Sequence, residues 1–262
     1  MPCIISRWNK NNAREVMAKG LCASALGMLV MACSGCGGGG GSSAPPVVAS
    51  PTQSKSVQTI TIDAEGDSTM WGLEKDASGQ PFQTKNNAPA VLQSVLQGEF
   101  SARIVVNNNG VPSASVADSL NGTAPYYSGV FEKRLAVSLA QIVIENYAIN
   151  DAQRVTTDQF YSNLTTWVER VRMAGKTPVL EEPNPITRPG LPELAPYVEI
   201  IDQVASIQNV PVIRQFDYIQ TLPNWQSMLN DGVHPGDALY AIKAQREAQV
   251  LNAIVQQFAI EP

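Results

Sequence analysis

The chain has 262 residues, of which 44% are apolar and 16% charged. That suits one ordinary domain with an appendage and argues against wholesale disorder. A net charge of −5 with a single histidine argues against nucleic acid or an anionic membrane face as a partner and excludes a histidine-rich zinc site.

The first element in chain order does not read as part of a fold. "MPCIISRWNKNNAREVMAKG" carries Arg7, Lys10, Arg14 and Lys19 against one acid, Glu15. "LCASALGMLVMA" then runs apolar for twelve residues, short of the roughly 20 that span a bilayer. A basic region, a short apolar run and a small residue at Ala32 predict a cleaved signal over residues 1–32. "LVMACSGCGGGGGSSAPP" resembles a bacterial lipoprotein signal, with Cys33 as the lipidated first mature residue and Cys36 as the alternative. The expected location is therefore the bacterial cell envelope, lipid-anchored and facing the periplasm or exterior, with plain secretion as the alternative. Cleavage before Cys33 removes four basic residues and one acid, taking the net charge from −5 to −8. No cysteine follows Cys36, so the folded part has no disulfide to lean on.

Residues 33–57 are rich in Gly, Ser and Pro and read as a flexible linker, which places the folded domain at 58–262. Within it, "QTITID" (58–63), "ARIVVN" (102–107), "AQIVIEN" (140–146), "TPVLEE" (177–182) and "VPVIRQ" (210–215) are alternating or β-branched runs that predict five strands. Between and after them, 88–100, 160–175, 196–209 and 236–258 carry apolar residues at helical spacing, one helix stopping on Gly175. Strands alternating with helices predict an α/β fold, a three-layer α/β/α sandwich around a mostly parallel five-stranded sheet.

In such a sheet the working groups sit beyond the carboxyl ends of the strands. "EGDSTMWG" follows the first strand and exposes Ser68 where the chain turns; "ENYAIND" follows the third and holds Asn150 and Asp151; "DGVHP" precedes the last helix and holds Asp231 and His234. Each alone reads equally well as a turn. Taken together they supply a hydroxyl nucleophile, an imidazole base and a carboxylate three residues before it that can fix the tautomer. The asparagine amide can donate to a developing oxyanion.

These blocks, "GDST", "AIND" and "DGVHP", resemble those of the SGNH, or GDSL-type, hydrolase family. The resemblance implies Ser68 as nucleophile, His234 as base, Asp231 as its orienting partner, and the N–H of Ser68 with the Asn150 amide as oxyanion donors. The family's second block ends on a glycine whose N–H completes the oxyanion hole. In "VVNNNGVPSASVADSL" Ser113 stands at that position, with Gly110 as the alternative, and Ala148 stands for the glycine of the third block. Any need for positive φ at Ser113 would be strained, and Ala148 is the milder change.

Other chemistries find no support. There is no Gly-x-Ser-x-Gly elbow, and the only glycine-rich stretch lacks the Lys-Ser/Thr ending of a phosphate loop. The acids of "EE" at 181–182 and "EKD" at 74–76 read as solvated or structural, and Trp71, Tyr126, Tyr127 and Trp225 as core, rim or pocket mouth. The expectation is a monomeric serine esterase with no metal or organic cofactor, acting on a small-molecule, glycan or lipid ester, short-chain acyl or carbohydrate O-acetyl esters above all. An O-acyltransferase on the same residues, or a surface binding module without catalysis, is the alternative. The membrane would be met only through the lipid anchor.

Overall fold

The computed structural model describes residues 58–259. The expected signal segment, the linker and both candidate lipidation sites, Cys33 and Cys36, lie outside the described residues.

The chain order is β1 (Thr59–Gly66), α1 (Ser68–Trp71), β2 (Leu73–Lys75), β3 (Pro81–Gln83), α2 (Ala88–Glu99), β4 (Arg103–Gly110), α3 (Val116–Asn121), α4 (Phe131–Val137), β5 (Ile142–Asn146), α5 (Thr157–Met173), β6 (Thr177–Glu181), α6 (Ala195–Gln208), β7 (Val212–Ile213), α7 (Phe216–Thr221) and α8 (Asp237–Ala259), with a 3₁₀ turn at Trp225–Met228 before the last helix. Five strands form one parallel sheet in the order β4-β1-β5-β6-β7. The three-layer α/β architecture expected from the alternation of runs is the one observed.

The layers follow from the strand pattern. On one face Ile60, Ile62, Ile144 and Val179 pack against Leu92 and Leu96 of α2 and Tyr240, Ala244 and Leu251 of α8. On the other, Val143 and Leu180 meet Phe131 of α4, Phe160, Leu164 and Trp167 of α5, and Ile201 of α6. Phe131 and Trp167 stack with ring centroids 5.6 Å apart, an offset aromatic contact of the favourable kind. With no residue of β5 more than slightly exposed, the central strand is buried on both faces, as parallel sheets require.

Several elements differ from the sequence expectation, each for a local reason. β4 runs on through Asn107, Asn108 and Asn109 to Gly110, where the apolar run had predicted a stop. Those asparagines are tolerated because the Asn107 and Asn109 amides donate to Asp63 (2.8 Å) and Glu65 (3.1 Å) on the neighbouring strand. α5 begins earlier than its apolar pattern because Thr156 and Gln159 close a capping box. β7 shrinks to two residues. The short hairpin β2–β3 and the one- and two-turn helices had no periodicity long enough to register.

The strand order sets the site. From β1 the chain crosses to β4 on one side, then returns past β1 to β5 on the other. The crevice outside the carboxyl ends of β1 and β5 is therefore the topological switch point, where ligands bind in open α/β sheets.

Candidate active site

Gly66 ends β1, and Asp67 caps the single turn α1 by accepting from the Thr69 N–H at 2.8 Å. This turn lies unusually close to the sheet. A Cβ on Gly66 would stand 2.6 Å from the Asn146 carbonyl oxygen, and one on Gly110 would stand 2.3 Å from the Trp71 nitrogen. Two glycines thus let the start of α1 approach β4 and β5, which places Ser68 at the mouth of the switch-point crevice.

His234 arrives from the other end of the chain. Its turn, between the 3₁₀ segment and α8, is closed by Asn230 N–H to the His234 carbonyl (2.7 Å) and Gly236 N–H to the Met228 carbonyl (2.8 Å). The imidazole Nε2 lies 2.8 Å from Ser68 Oγ, and Nδ1 lies 3.0 and 3.1 Å from the two carboxylate oxygens of Asp231. The three residues expected to act together are therefore one continuous hydrogen-bonded chain. A hydroxyl joined in this way to an imidazole, itself oriented by a carboxylate, can lose its proton as it attacks a carbonyl.

Burial opposes the charge on Asp231. The His234 backbone N–H, the Lys75 ammonium and the imidazole more than offset it and hold the carboxyl well below the usual carboxylate range. Two of its partners gave no signal in the sequence: Lys75 Nζ stands 3.0 Å from Oδ2, and the Arg188 guanidinium pairs with the same oxygen. Lys75 lies more than 150 positions away along the chain, inside the "EKD" stretch, and Arg188 sits in the proline-rich loop after β6, so only the folded chain brings them here.

The turn after β5 carries the remaining groups. Asn150 Nδ2 donates to the Ala114 carbonyl (3.0 Å) and to Asp67 Oδ2 (3.2 Å), tying together the ends of β1, β4 and β5. Asp67 is buried, and that burial pushes its carboxyl up despite the Thr69 N–H bonded to it. Asp151 accepts from Val116 N–H (3.1 Å) and Ala148 N–H (3.3 Å), which makes it a brace for the turn. Burial pushes its carboxyl up to about 7, against those two bonds.

Ser113 has φ +66° and Ala148 φ +88°. Both positions expected to want a glycine do adopt the left-handed conformation, and this chain tolerates the strain. Gly110, the alternative to Ser113, has its N–H engaged by Asn108 Oδ1 at 3.1 Å and belongs to the strand. Among the described residues neither the Ser68 nor the Ser113 N–H is paired with a protein acceptor.

The other candidates are structural. Glu181 is fully buried and pairs with Lys243 at 3.0 Å, while Glu182 accepts the Phe216 N–H at 2.9 Å. Tyr127 is a core residue whose hydroxyl meets that of Tyr147 at 2.7 Å. Trp225 lines an open cavity of about 370 Å³ with Phe216, Ile186, Leu191, Arg188 and Glu193. Among the described residues no group of His, Cys, Asp and Glu side chains comes together as a metal site.

A doubly flanked parallel sheet with Ser68, His234 and Asp231 joined by hydrogen bonds at the carboxyl ends of its strands has the arrangement of a serine hydrolase. Residues 64–242 match the model of the GDSL-like lipase/acylhydrolase family, and the chain belongs to that family. The match covers both ends of the hydrogen-bonded chain, from the Ser68 turn to the His234 turn. Solved structures share the fold. A lipase/acylhydrolase from Enterococcus faecalis superimposes with a TM-score of 0.60 at 20% identity, over 74% of this chain and 96% of that one. A carbohydrate acetylesterase from Sinorhizobium meliloti gives 0.59 at 14% identity, over 74% and 99%. An aryl esterase from M. smegmatis gives 0.60 at 16% identity, over 74% and 99%. No curated protein matches the sequence.

Proposed function

We propose that the protein is a serine esterase working through an acyl-enzyme, with Ser68 as nucleophile, His234 as general base and Asp231 as the group that orients the imidazole. The observation that carries this is the unbroken chain from Ser68 Oγ through the imidazole to the Asp231 carboxylate. Ser68 Oγ bonds to the ester carbonyl carbon while its proton passes to His234 Nε2. As the tetrahedral intermediate collapses, the imidazolium returns that proton to the leaving alcohol. Water then attacks the acyl-serine, giving one proton to His234, and the carboxylic acid leaves as Ser68 recovers its hydroxyl.

The charge on the carbonyl oxygen would be met by the N–H groups of Ser68 and Ser113 and by the Asn150 amide. In the resting arrangement that amide spends one hydrogen on Asp67 and one on Ala114. The Asp67 bond is the longer and the one to be exchanged for the oxyanion, a tightening that is common between free and transition-state geometry. Short-chain acyl and carbohydrate O-acetyl esters are the substrates favoured, a reading supported by the esterases among its structural neighbours.

A fluorophosphonate probe tests the nucleophile directly. It should label the wild-type protein at Ser68 and leave Ser68→Ala unlabelled; labelling of Ser68→Ala would overturn the assignment. We further propose export to the cell envelope and lipidation at Cys33 after cleavage of residues 1–32, with the folded domain acting as a monomer. Cys33→Ser should then move the protein out of the membrane fraction, whereas an effect of Cys36→Ser alone would shift the processing site.

A further inference from the structure

The carboxylate of Asp231 is shared more widely than orienting one imidazole needs. Its Oδ1 accepts from the backbone N–H groups of Val233 (3.2 Å) and His234 (3.0 Å) and faces the ring Nδ1 at 3.0 Å. Its Oδ2 faces the same Nδ1 at 3.1 Å, Lys75 Nζ at 3.0 Å and the Arg188 guanidinium. Arg188 also donates from Nη2 to the Asp231 backbone carbonyl at 3.1 Å.

Both cations are held by the fold. Lys75 ends β2, and its backbone N–H donates to Asn230 Oδ1 at 2.9 Å, one residue before Asp231. The loop bearing Arg188 is fastened to the same turn by the Thr187 and Arg188 N–H groups, which donate to the Gly232 carbonyl at 2.8 and 3.1 Å. Two separate segments thus present positive charge to one oxygen of the carboxylate.

We propose that Lys75 and Arg188 are positioning residues that clamp Asp231 and compete with His234 for its charge. The inference rests on the reading of Asp231 and His234 as partners in catalysis. Its physical content is a balance. An aspartate alone beside an imidazole stabilises the protonated ring, making it a stronger base but one that stays protonated, and idle, to higher pH. Two cations on the same carboxylate cancel part of that stabilisation. The other charged and titratable groups around the pair are Asp67 facing the imidazole from the end of β1, Glu74 on β2, Tyr240 and Asp237 at the start of α8, and Lys243 of α8, which acts on Asp67 and is paired with Glu181. Lys75 and Arg188 are the cations in contact with the Asp231 carboxylate, so they are the groups that oppose its pull on the ring.

The chain contains one histidine, so the imidazole C–H resonances of the full-length protein report His234 without assignment. Their titration would be followed by NMR in wild type, Lys75→Gln, Arg188→Gln and Lys75→Arg, together with the acid limb of kcat/KM on an aryl acetate. Each Gln variant should move the midpoint upward by roughly half a unit to one unit, the scale of one neighbouring charge in a half-exposed site. Lys75→Arg, which keeps the charge, should leave the midpoint at its wild-type position. Unchanged or lowered midpoints in the Gln variants would overturn the clamp. Should Arg188→Gln fail to fold, the Lys75 pair decides alone, since that side chain is 39% exposed and its backbone bonds to Asn230 survive substitution. Because the titration needs no turnover, wild-type protein inert on esters would sink the esterase reading and leave the clamp to be judged on the resonances.

Discussion

The part of the site that carries Ser68, Asp231 and His234 and the part that carries Ser113, Ala148 and Asn150 both lie at the carboxyl ends of the sheet, but they are held differently. In the first, contact distances are ordinary, the three residues avoid the left-handed region, and the glycines sit where close approach requires them, at Gly66 and Gly110. In the second, two residues with side chains occupy left-handed backbone, and the Asn150 amide already has both hydrogens committed. The proposed nucleophile and base are thus in hydrogen-bond contact at rest, whereas of the proposed oxyanion donors Ser113 sits on strained backbone and Asn150 must exchange a hydrogen bond to act. Strain of this kind persists only where surrounding contacts over-determine the backbone. Here the braces are Asp151, through Ala148 and Val116, and Arg154, which donates to the Ser113 carbonyl at 2.8 Å.

The comparison breaks most visibly at the assembled half. Ser68→Ala and His234→Ala should each lower kcat/KM by about 10⁴ or more, and the double variant should be little worse, because such residues act as a unit. Steady-state hydrolysis of a short-chain aryl ester checks this, with circular dichroism to show that the fold survives. Clear turnover by either single variant would remove the residue from the mechanism.

At the strained half the expected loss is smaller and of a different kind. Asn150→Ala should lower kcat by about 10²–10³ with KM nearly unchanged, since the ground-state carbonyl needs the hydrogen bond far less than the oxyanion does. A rise in KM alone would make Asn150 a substrate-positioning residue instead.

Its neighbour provides the contrast. Asp151→Asn should keep most of the activity and act on stability. With its carboxyl held near 7 in the folded state against an ordinary value of 3.8, Asp151 keeps more protons folded than unfolded between about pH 4 and 7. Its stabilising contribution is therefore fully present in acid and is lost as pH rises through that window. Glu65, also raised to about 7 by burial, adds a slope of the same sign. Unfolding free energies from urea titrations across the window should fall more gently in Asp151→Asn than in wild type, by an amount on the order of 3 kcal/mol over the window. A parallel pair of curves would show that Asp151 does not titrate there.

The smallest effect sharpens the contrast in backbone. Ala148→Gly and Ser113→Gly should each stabilise by up to about 1 kcal/mol, because the relief of left-handed strain exceeds the entropy that glycine adds to the unfolded chain. Thermal melts should rise by about 2–4 °C for a domain of this size. Gly66→Ala and Gly110→Ala, where a Cβ would collide with backbone, should move the melt in the opposite direction.

Much of this was legible before folding. Strand existence and order of alternation followed from β-branched runs, whose periodicity is a local property of the chain. The strained positions were legible in part: the family block with Ser113 where glycine is expected pointed to strain should that position need positive φ, and both Ser113 and Ala148 have positive φ. Less legible were features that depend on a partner far along the chain. The "NNNG" of β4 reads as a turn until Asp63 and Glu65 lie beside it to take its amides. Gly110 looked like an alternative donor until Asn108 claimed its N–H.

By itself, then, the sequence determined the α/β class, the five strands and which Ser, Asn, Asp and His residues are the candidates, because each depends on a short stretch of chain and its chemical character. The tertiary structure alone decided what surrounds them. The distance from Ser68 to His234 spans 166 positions, Asn150 is tied to Asp67 and Ala114, and Lys75 and Arg188 converge on Asp231 from two unrelated segments. A charge acts through space and not along the chain, so which cations reach a carboxylate is settled only when β2, the loop after β6 and the turn before α8 pack against one another.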